Sequence, residues 1–357
     1  YQYLTKYLIL HNHFIDYLRK QRDQEASNAD LITHPKGIGQ TEYRLLMDTL
    51  SGKDMKQTIK KFIYQWIEKQ FMDGCSHYNS LSVRKSCRSK QQARKIFNLL
   101  NIPHANGKVF FNPFKALDFV KEHGFPVVIK PNVSGYSRGS YFPIRNMKEF
   151  WKAALFVKIW RPTSIIEQYL EGKNYRVVVV KDEIMSVLRR YQPFVIGNGI
   201  NTISELIDQE NEKRKKMLLY PVIHSIPKTN RVKKFLKKQG LYLRTVPNTN
   251  EIIQLHNKIA LAPGGVVETL DKNSMAPENR ELFLNLQKKL DANILGIDAI
   301  FEKGIETSHD KQKTIFLEIN SRPYLKMHDY PRFGIKQDLQ PYYQKLNQIE
   351  LIDSGIF

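Results

Sequence analysis

The sequence predicts an α+β fold, antiparallel strands with covering helices, preceded by a mostly helical N-terminal segment. Two observations carry this. Short runs rich in Val and Ile, such as Val127-Val128-Ile129, Val177 to Val180 and Leu295 to Phe301, are bounded by prolines, glycines and charged turns. Between them lie segments with a period near 3.6 and explicit start signals: Ser89, the pair Thr202 and Glu205, and Pro277.

The chain has 357 residues, of which 41% are hydrophobic and 25% charged, ordinary values for a globular protein with at least one sizeable core and two or three lobes. No apolar run approaches the length needed to cross a bilayer, so a membrane role is not expected, and the start at Tyr1 has no signal-peptide pattern. A start at Tyr rather than Met reads as a fragment, a processed form or an incompletely seen N-terminus. Cys75 and Cys87 form no disulfide framework and no zinc spacing, and the cytoplasm is the expected location. With 56 Lys and Arg against 35 Asp and Glu, the net charge is +21, which attracts polyanions: nucleotides, nucleic acid, acidic polymers or an anionic membrane surface. The clusters at Lys213 to Lys216 and Lys233 to Lys238 fall on predicted helices, where a solvated face is the commoner explanation.

Taken in order, residues 1 to about 75 read as mostly helical. Ile59, Phe62, Ile63, Trp66 and Ile67 form one apolar face, directed at the core, at a partner or at another copy of the chain. His11, His13 and His34 lack metal-site spacing. Ser89 caps a helix from Gln91 to Leu100, ended by Asn101-Ile102-Pro103. Phe125 to Pro131 is a short strand, followed by the small-residue turn Asn132 to Ser140 and a second strand, Tyr141 to Ile144. Glycines in such a hairpin let backbone amides approach phosphate oxygens, and Lys130 on the adjoining strand adds a point charge. There is no P-loop pattern. A helix from Asn146 to Val157 follows, with Phe150, Trp151, Ala154 and Leu155 as its apolar stripe. Ser164 to Leu170 is a strand, and Arg176 opens the strand Val177 to Val180, whose hairpin partner ends at Arg189-Arg190. The Thr202/Glu205 capping box starts a charged helix to about Met217, and a basic helix, Arg231 to Lys238, stops at Gly240. Glu251 to Leu255 is a strand, Ala262-Pro263-Gly264-Gly265 a loop, and Pro277 begins a helix whose Leu282, Phe283, Leu286 and Leu290 face the core. Lys303 to Lys313 reads as an exposed loop.

The chemistry concentrates in Ile315 to Pro323. Strand alternation directs Ile315, Leu317 and Ile319 to one face and Phe316, Glu318 and Asn320 to the other. Asp298 interrupts another apolar run twenty residues upstream, and if the two strands are neighbours, two carboxylates and an Asn carbonyl converge. Such hard oxygen ligands, too few to close a cage, suit Mg²⁺ carried in by a phosphate-bearing substrate.

The ordered set Lys90, Lys130, the Gly135/Gly139 hairpin, Glu167-Gln168-Tyr169-Leu170, Asp298 and Glu318-x-Asn320 resembles an ATP-grasp fold, two α+β lobes clasping ATP. More narrowly, Tyr175 to Val180, Val195 to Ile203, Leu236 to Gly240, Pro277-Glu278-Asn279, Leu295 to Asp298 and Asn320 to His328 resemble the ATP-grasp region of cyanophycin synthetases and bifunctional glutathione synthetases. The likeness covers roughly residues 85 to 335. Beyond the helical region at 1–84, read from its own residues and matching nothing in these families, it implies a lid at 85–170 and a core at 171–357 with the metal site and acceptor cleft. It also implies an ATP-dependent carboxylate-amine ligase that forms an acyl phosphate and then an amide, on amino acids or a peptide. Lys90, Lys130, Ser134, Gly135, Ser137 and Gly139 would face the phosphates, and Glu167, Gln168, Tyr169 and Leu170 the adenine. Asp298, Glu318 and Asn320 would hold two Mg²⁺ ions, Arg190 and Arg322 would stabilise the transferring group, and Arg176, Tyr324 and His328 would bind substrate. The chain departs from the family pattern at His256 and Ala260, where an Arg and an Asn are usual, and at Tyr324 in place of a Gly. Alternatives are a basic protein associated with tRNA, other nucleic acid or a polyanionic acceptor, and an ATP-grasp protein with a kinase-like or non-catalytic role.

Overall fold

The structure, a computed structural model, describes residues 78–87, 89–132, 139–159, 161–220 and 222–350. The expected Trp66 helix, with any self-association through it, the three N-terminal histidines, Cys75, Ser134, Gly135 and Ser137 lie outside these residues. Ser82–Leu339 is one compact unit and carries every element below; the helix Gln340–Asn347 belongs to a second.

Ser89 caps α1 (Lys90–Leu99), its hydroxyl accepting from the Gln92 amide at 3.1 Å. A four-stranded antiparallel sheet follows, built from β1 (Gly107–Phe110), β2 (Val127–Pro131), β3 (Tyr141–Ile144) and β4 (Ser164–Gln168) in the order β1-β4-β2-β3. Two helices, α2 (Pro113–His123) and α3 (Met147–Phe156), cover one face of it, burying Phe110, Phe119, Ile129, Phe150 and Ile166. Leu155, expected in the apolar stripe of α3, is 59% exposed, because the helix turns Ala153 and Ala154 inward instead.

A hairpin of β5 (Lys173–Val180) and β6 (Glu183–Tyr191) then begins the second sheet, so Arg176 lies inside its strand rather than at the start. β7 (Phe194–Ile196), α4 (Ile203–Lys216), α5 (Asn230–Lys237) and β8 (Ile252–Gln254) form an excursion around Ile203, Ile207, Val232, Leu236 and Ile253. The Thr202/Glu205 capping box is present, with the Thr202 amide donating to the Glu205 carboxylate at 2.7 Å. β9 (Val266–Leu270) returns to pair with β6. After α6 (Pro277–Lys289), β10 (Ile294–Phe301) and β11 (Thr314–Asn320) complete a five-stranded antiparallel sheet ordered β11-β10-β5-β6-β9. α1 and α6 pack on one face, where Phe97, Val177, Phe283, Ile297, Phe316 and Ile319 share a core.

β1, α2, β7 and β9 are not among the elements expected from sequence, although Asn112-Pro113 is an N-cap followed by Pro at the first helical position and the Asn112 side chain does accept from the Phe114 amide at 3.0 Å. The expected alternation along β11 also fails. Asp298 pairs with Glu318 but Ala299 pairs with Phe316, so Leu317 is an extra residue. This bulge reverses the parity of the strand and sends Phe316 into the same core as Ile319, away from the face of Glu318 and Asn320. Among the described residues no helix is long and apolar enough to cross a membrane.

Nor is the loop after β10 wholly exposed. Ile305 is buried, and Asn279 of α6, itself fully buried, donates to the carbonyls of Ile305 (2.8 Å) and Thr307 (2.7 Å) and accepts from the His309 amide (2.8 Å). Replacing Asn279 with Ala strands these backbone groups, so Asn279→Ala is expected to lower unfolding free energy by about 2–3 kcal/mol; urea denaturation measures it, and a loss near zero would mean the loop does not depend on this side chain.

Candidate active site

The face of the second sheet away from α1 and α6 gathers most of the residues assigned to the metal and substrate. In an antiparallel sheet directly opposed residues share a face, and the register runs Glu318, Asp298, Arg176, Leu188, Thr269 across the five strands. Two positions along, Asn320 pairs with Gly296. Asn174 and Arg190, opposed on β5 and β6, occupy the same face. Arg189 is on the other side, its guanidinium 4.7 Å from the centre of the Tyr191 ring. Gly296 is required here: a Cβ would stand 2.6 Å from the Cβ of Pro323, which folds the chain after β11 back over the strand.

Asp298 is 3% exposed and takes two guanidinium groups. Arg176 donates from Nε to Oδ1 and from Nη2 to Oδ2, the latter at 2.9 Å, and Arg190 donates from Nη2 to Oδ2 at 2.8 Å. Burial alone would raise the Asp298 carboxyl, but the two arginines outweigh it and hold the group down at about 2. Glu318 is looser. Its carboxylate lies 3.8 Å from Lys90 Nζ and 4.0 Å from Arg176 Nη2, and its side chain keeps 32% exposure. The Asn320 amide nitrogen donates to the Gly296 carbonyl at 3.3 Å, which leaves its oxygen as the group turned elsewhere.

Among the described residues no three His, Cys, Asp or Glu side chains gather. Two carboxylates and one amide oxygen are instead the partial, hard donor set that an Mg²⁺ ion shares with phosphate oxygens and water, so the residues fit that ion. The same face holds orphaned polar atoms: Ser186 Oγ, Thr269 Oγ1 and both ring nitrogens of His328 are buried without a hydrogen-bond partner. Buried polar groups are nearly always satisfied, so each of these atoms is a group still able to bond a ligand or a water.

The first sheet supplies the other half. Lys130 and Glu167 lie on the face of β2 and β4 not covered by α2 and α3, and they bond to each other at 2.5 Å, both buried. Lys130 is therefore no surface lysine, and Glu167, assigned to adenine, is engaged by the lysine assigned to phosphate. Gln168 projects from the opposite face of β4, opposed to Val127, with its backbone N–H donating to the Asn106 carbonyl at 3.0 Å. Tyr169 stacks on Phe142 at 6.4 Å between ring centres, and Leu170 is partly buried. Gly139, the described end of the hairpin loop, has φ +67°, a conformation suited to glycine.

Asn132, absent from the expected site, joins the two sheets. Its carbonyl accepts from the Lys90 amide (3.2 Å) and its side-chain oxygen from the Gln91 amide (3.1 Å), so the N-terminus of α1 is fastened to the end of β2. That fixes Lys90 between Asn132 and Glu318. Asn174, bonded at 2.7 Å to Arg190 Nε, is a second residue missed from sequence; its place two before Arg176 on a strand was the available signal. Arg322 and Tyr324 fall on the turn over Gly296. Tyr324, 8% exposed, packs with Leu188, Val222, Val267 and Met327. At the departures, His256 is buried and its Nδ1 accepts from the Lys258 amide at 2.8 Å, while the Ala260 carbonyl accepts from the Gly265 amide at 3.0 Å.

His328, on a single 3₁₀ turn (Leu325–His328), is fully buried. Burial, with Arg176 and Arg190 nearby, holds its imidazole neutral down to about 3, against the partial relief of Asp298. A group whose folded pKa lies below its unfolded value of about 6.5 contributes stability above that pH and loses it as pH falls towards the folded value. Wild type should therefore lose stability between pH 7.5 and 5.5 relative to His328→Gln. Urea midpoints at the two pH values measure this, and parallel changes in both proteins would refute a buried neutral His328.

No protein-family model matches the chain. Over 251 residues it is 30% identical to the glutathione biosynthesis bifunctional protein of Clostridium perfringens, a match covering 69% of this chain and 32% of that protein. Over 264 residues it is 28% identical to the cyanophycin synthetase of Trichormus variabilis, covering 72% of this chain and 29% of that one. The chain thus spans about a third of the length of these curated relatives. Among solved structures, a bifunctional glutathione synthetase from Pasteurella multocida aligns with a TM-score of 0.54 at 21% identity, over 77% of this chain and 39% of that chain. The chain has the ATP-grasp fold and is a relative of the bifunctional glutathione biosynthesis proteins and the cyanophycin synthetases.

Proposed function

We propose that the protein is an ATP-dependent carboxylate-amine ligase acting on amino acids or a peptide. The observation that carries this reading is the direct opposition of Asp298 and Glu318 beside Asn320, ringed by Arg176, Arg190 and Lys90 on one sheet face. Phosphoryl transfer needs fixed positive charge and exclusion of water more than it needs a strong base. Asp298, Glu318 and Asn320 would hold two Mg²⁺ ions, whose chemistry would be to offset the negative charge that develops on the transferring group.

The chemistry has two steps. A substrate carboxylate oxygen bonds to the γ-phosphorus of ATP as the bond to the β–γ bridging oxygen breaks, its electron pair leaving with ADP. The amine nitrogen then attacks the acyl carbon, the carbon–oxygen bond to phosphate breaks, and one amine proton passes to solvent or phosphate. In this scheme Lys90 and Lys130 meet the phosphates, to which Ser134, Gly135, Ser137 and Gly139 are also assigned. Glu167, Gln168, Tyr169 and Leu170 border the adenine. Arg190 and Arg322 face the transferring group, and Arg176, Tyr324 and His328 shape the substrate side. We assign the reaction to the cytoplasm, where ATP is at hand; a polyanionic acceptor would make use of the net charge of +21.

ADP release with Mg·ATP and pooled amino acids and short peptides, with mass spectrometry of the products, tests the reading. Substrate-dependent ADP and a condensed mass are expected, both falling at least about 100-fold in Glu318→Gln. A phosphorylated product without condensation would replace the ligase by a kinase, and absence of ATP binding would overturn the site.

A further inference from the structure

The two arginines on Asp298 are not equivalent. Arg176 is directly opposed to Asp298 on the neighbouring strand and grips both carboxylate oxygens. Arg190 comes from one strand further away and gives Asp298 a single hydrogen bond, to Oδ2, while its Nε is bonded to the neutral Asn174. Oδ2 already accepts from both guanidinium groups, so a divalent cation on this carboxylate meets Arg190 as a competitor of like charge at contact distance.

We propose that Arg190 is an exchangeable partner of Asp298: as Mg²⁺ and the nucleotide phosphates enter, it leaves Oδ2, keeps its bond to Asn174 and turns its guanidinium to the transferring phosphoryl group, while Arg176 stays. The exchange rests on the ligase reading above and says how the metal and the catalytic cation share one carboxylate. Phosphate oxygens replace the bond lost at Asp298 with a charge-assisted one, and Asn174 keeps the swing short. One carboxylate thus serves in turn as the anchor of the arginine and as a ligand of the metal.

Titration calorimetry of Mg²⁺ against protein saturated with a non-hydrolysable ATP analogue tests the exchange. With its competitor removed, Arg190→Met should bind Mg²⁺ roughly 3- to 10-fold more tightly than wild type while ligation falls, a split that a merely structural arginine would not give. Equal or weaker metal binding in a folded Arg190→Met overturns the exchange and leaves the ligase reading standing. A wild type that binds no Mg·nucleotide removes both. If the variant does not fold, arginine side-chain NMR of wild type decides: one buried guanidinium signal should shift on adding the Mg·nucleotide analogue and another hold, and two unmoved signals would refute the proposal.

Discussion

Burying the carboxylate of Asp298 is the constraint around which the second sheet is arranged. A lone ionised carboxylate so deep in a protein costs several kcal/mol, and only close pairing with hydrogen-bonding cations offsets that. The cations come from β5 and β6, so the pairing is satisfied only in the order β10-β5-β6 and only in the observed register. A slip of one residue would send Arg176 to the face of Tyr175 and Val177, into an apolar core, and would leave Asp298 uncompensated. The residues that make the site chemically interesting thus also specify the strand alignment. Glu318, at the edge strand, is left half-open to neighbours and solvent.

α1 couples this sheet to the other. Its apolar side places Ala93 and Phe97 against Phe316 and Ile319, with the rings of Phe97 and Phe316 edge-on at 5.8 Å. Its N-terminus is held by Asn132 at the end of β2. Lys90 therefore takes its position from a hydrophobic contact at one end of the helix and two hydrogen bonds at the other. The bulge at Leu317 makes this compatible with the chemistry. Without it, Phe316 would share a face with Glu318, and β11 could not both anchor α1 and present its carboxylate to the cleft.

Much of this was legible in the sequence, for identifiable reasons. Capping residues mark α1 and α4 because the side-chain hydrogen bond is local, Pro277 marks α6 because its fixed φ suits the first helical turn, and the convergence of Asp298, Glu318 and Asn320 follows from alternation once the strands are paired. The bulge was not legible: nothing in Ile315-Phe316-Leu317-Glu318 distinguishes an extra residue from a regular one until the opposite strand is known. The pairing of Lys130 with Glu167 escaped for a related reason, since two residues 37 positions apart meet only through strand register. The sequence also could not tell what surrounds Tyr324, because Leu188 and Val267 come from distant strands.

The net charge of +21 is spread through the whole sequence. Among the ion-paired side chains of the cleft, Asp298, Glu318 and Glu167 stand against Arg176, Arg190, Lys90 and Lys130, three carboxylates to four cations, so that set is close to neutral. A nearly neutral set of buried charges does not attract a triphosphate through long-range potential. On the proposed function it would recognise one by exchange, as phosphate oxygens take over the guanidinium that Asp298 Oδ2 now holds and leave that carboxylate free to take a metal. On that basis affinity for nucleotide and affinity for metal would rise together, because each supplies the partner that the other displaces, and the two ligands would enter as a unit.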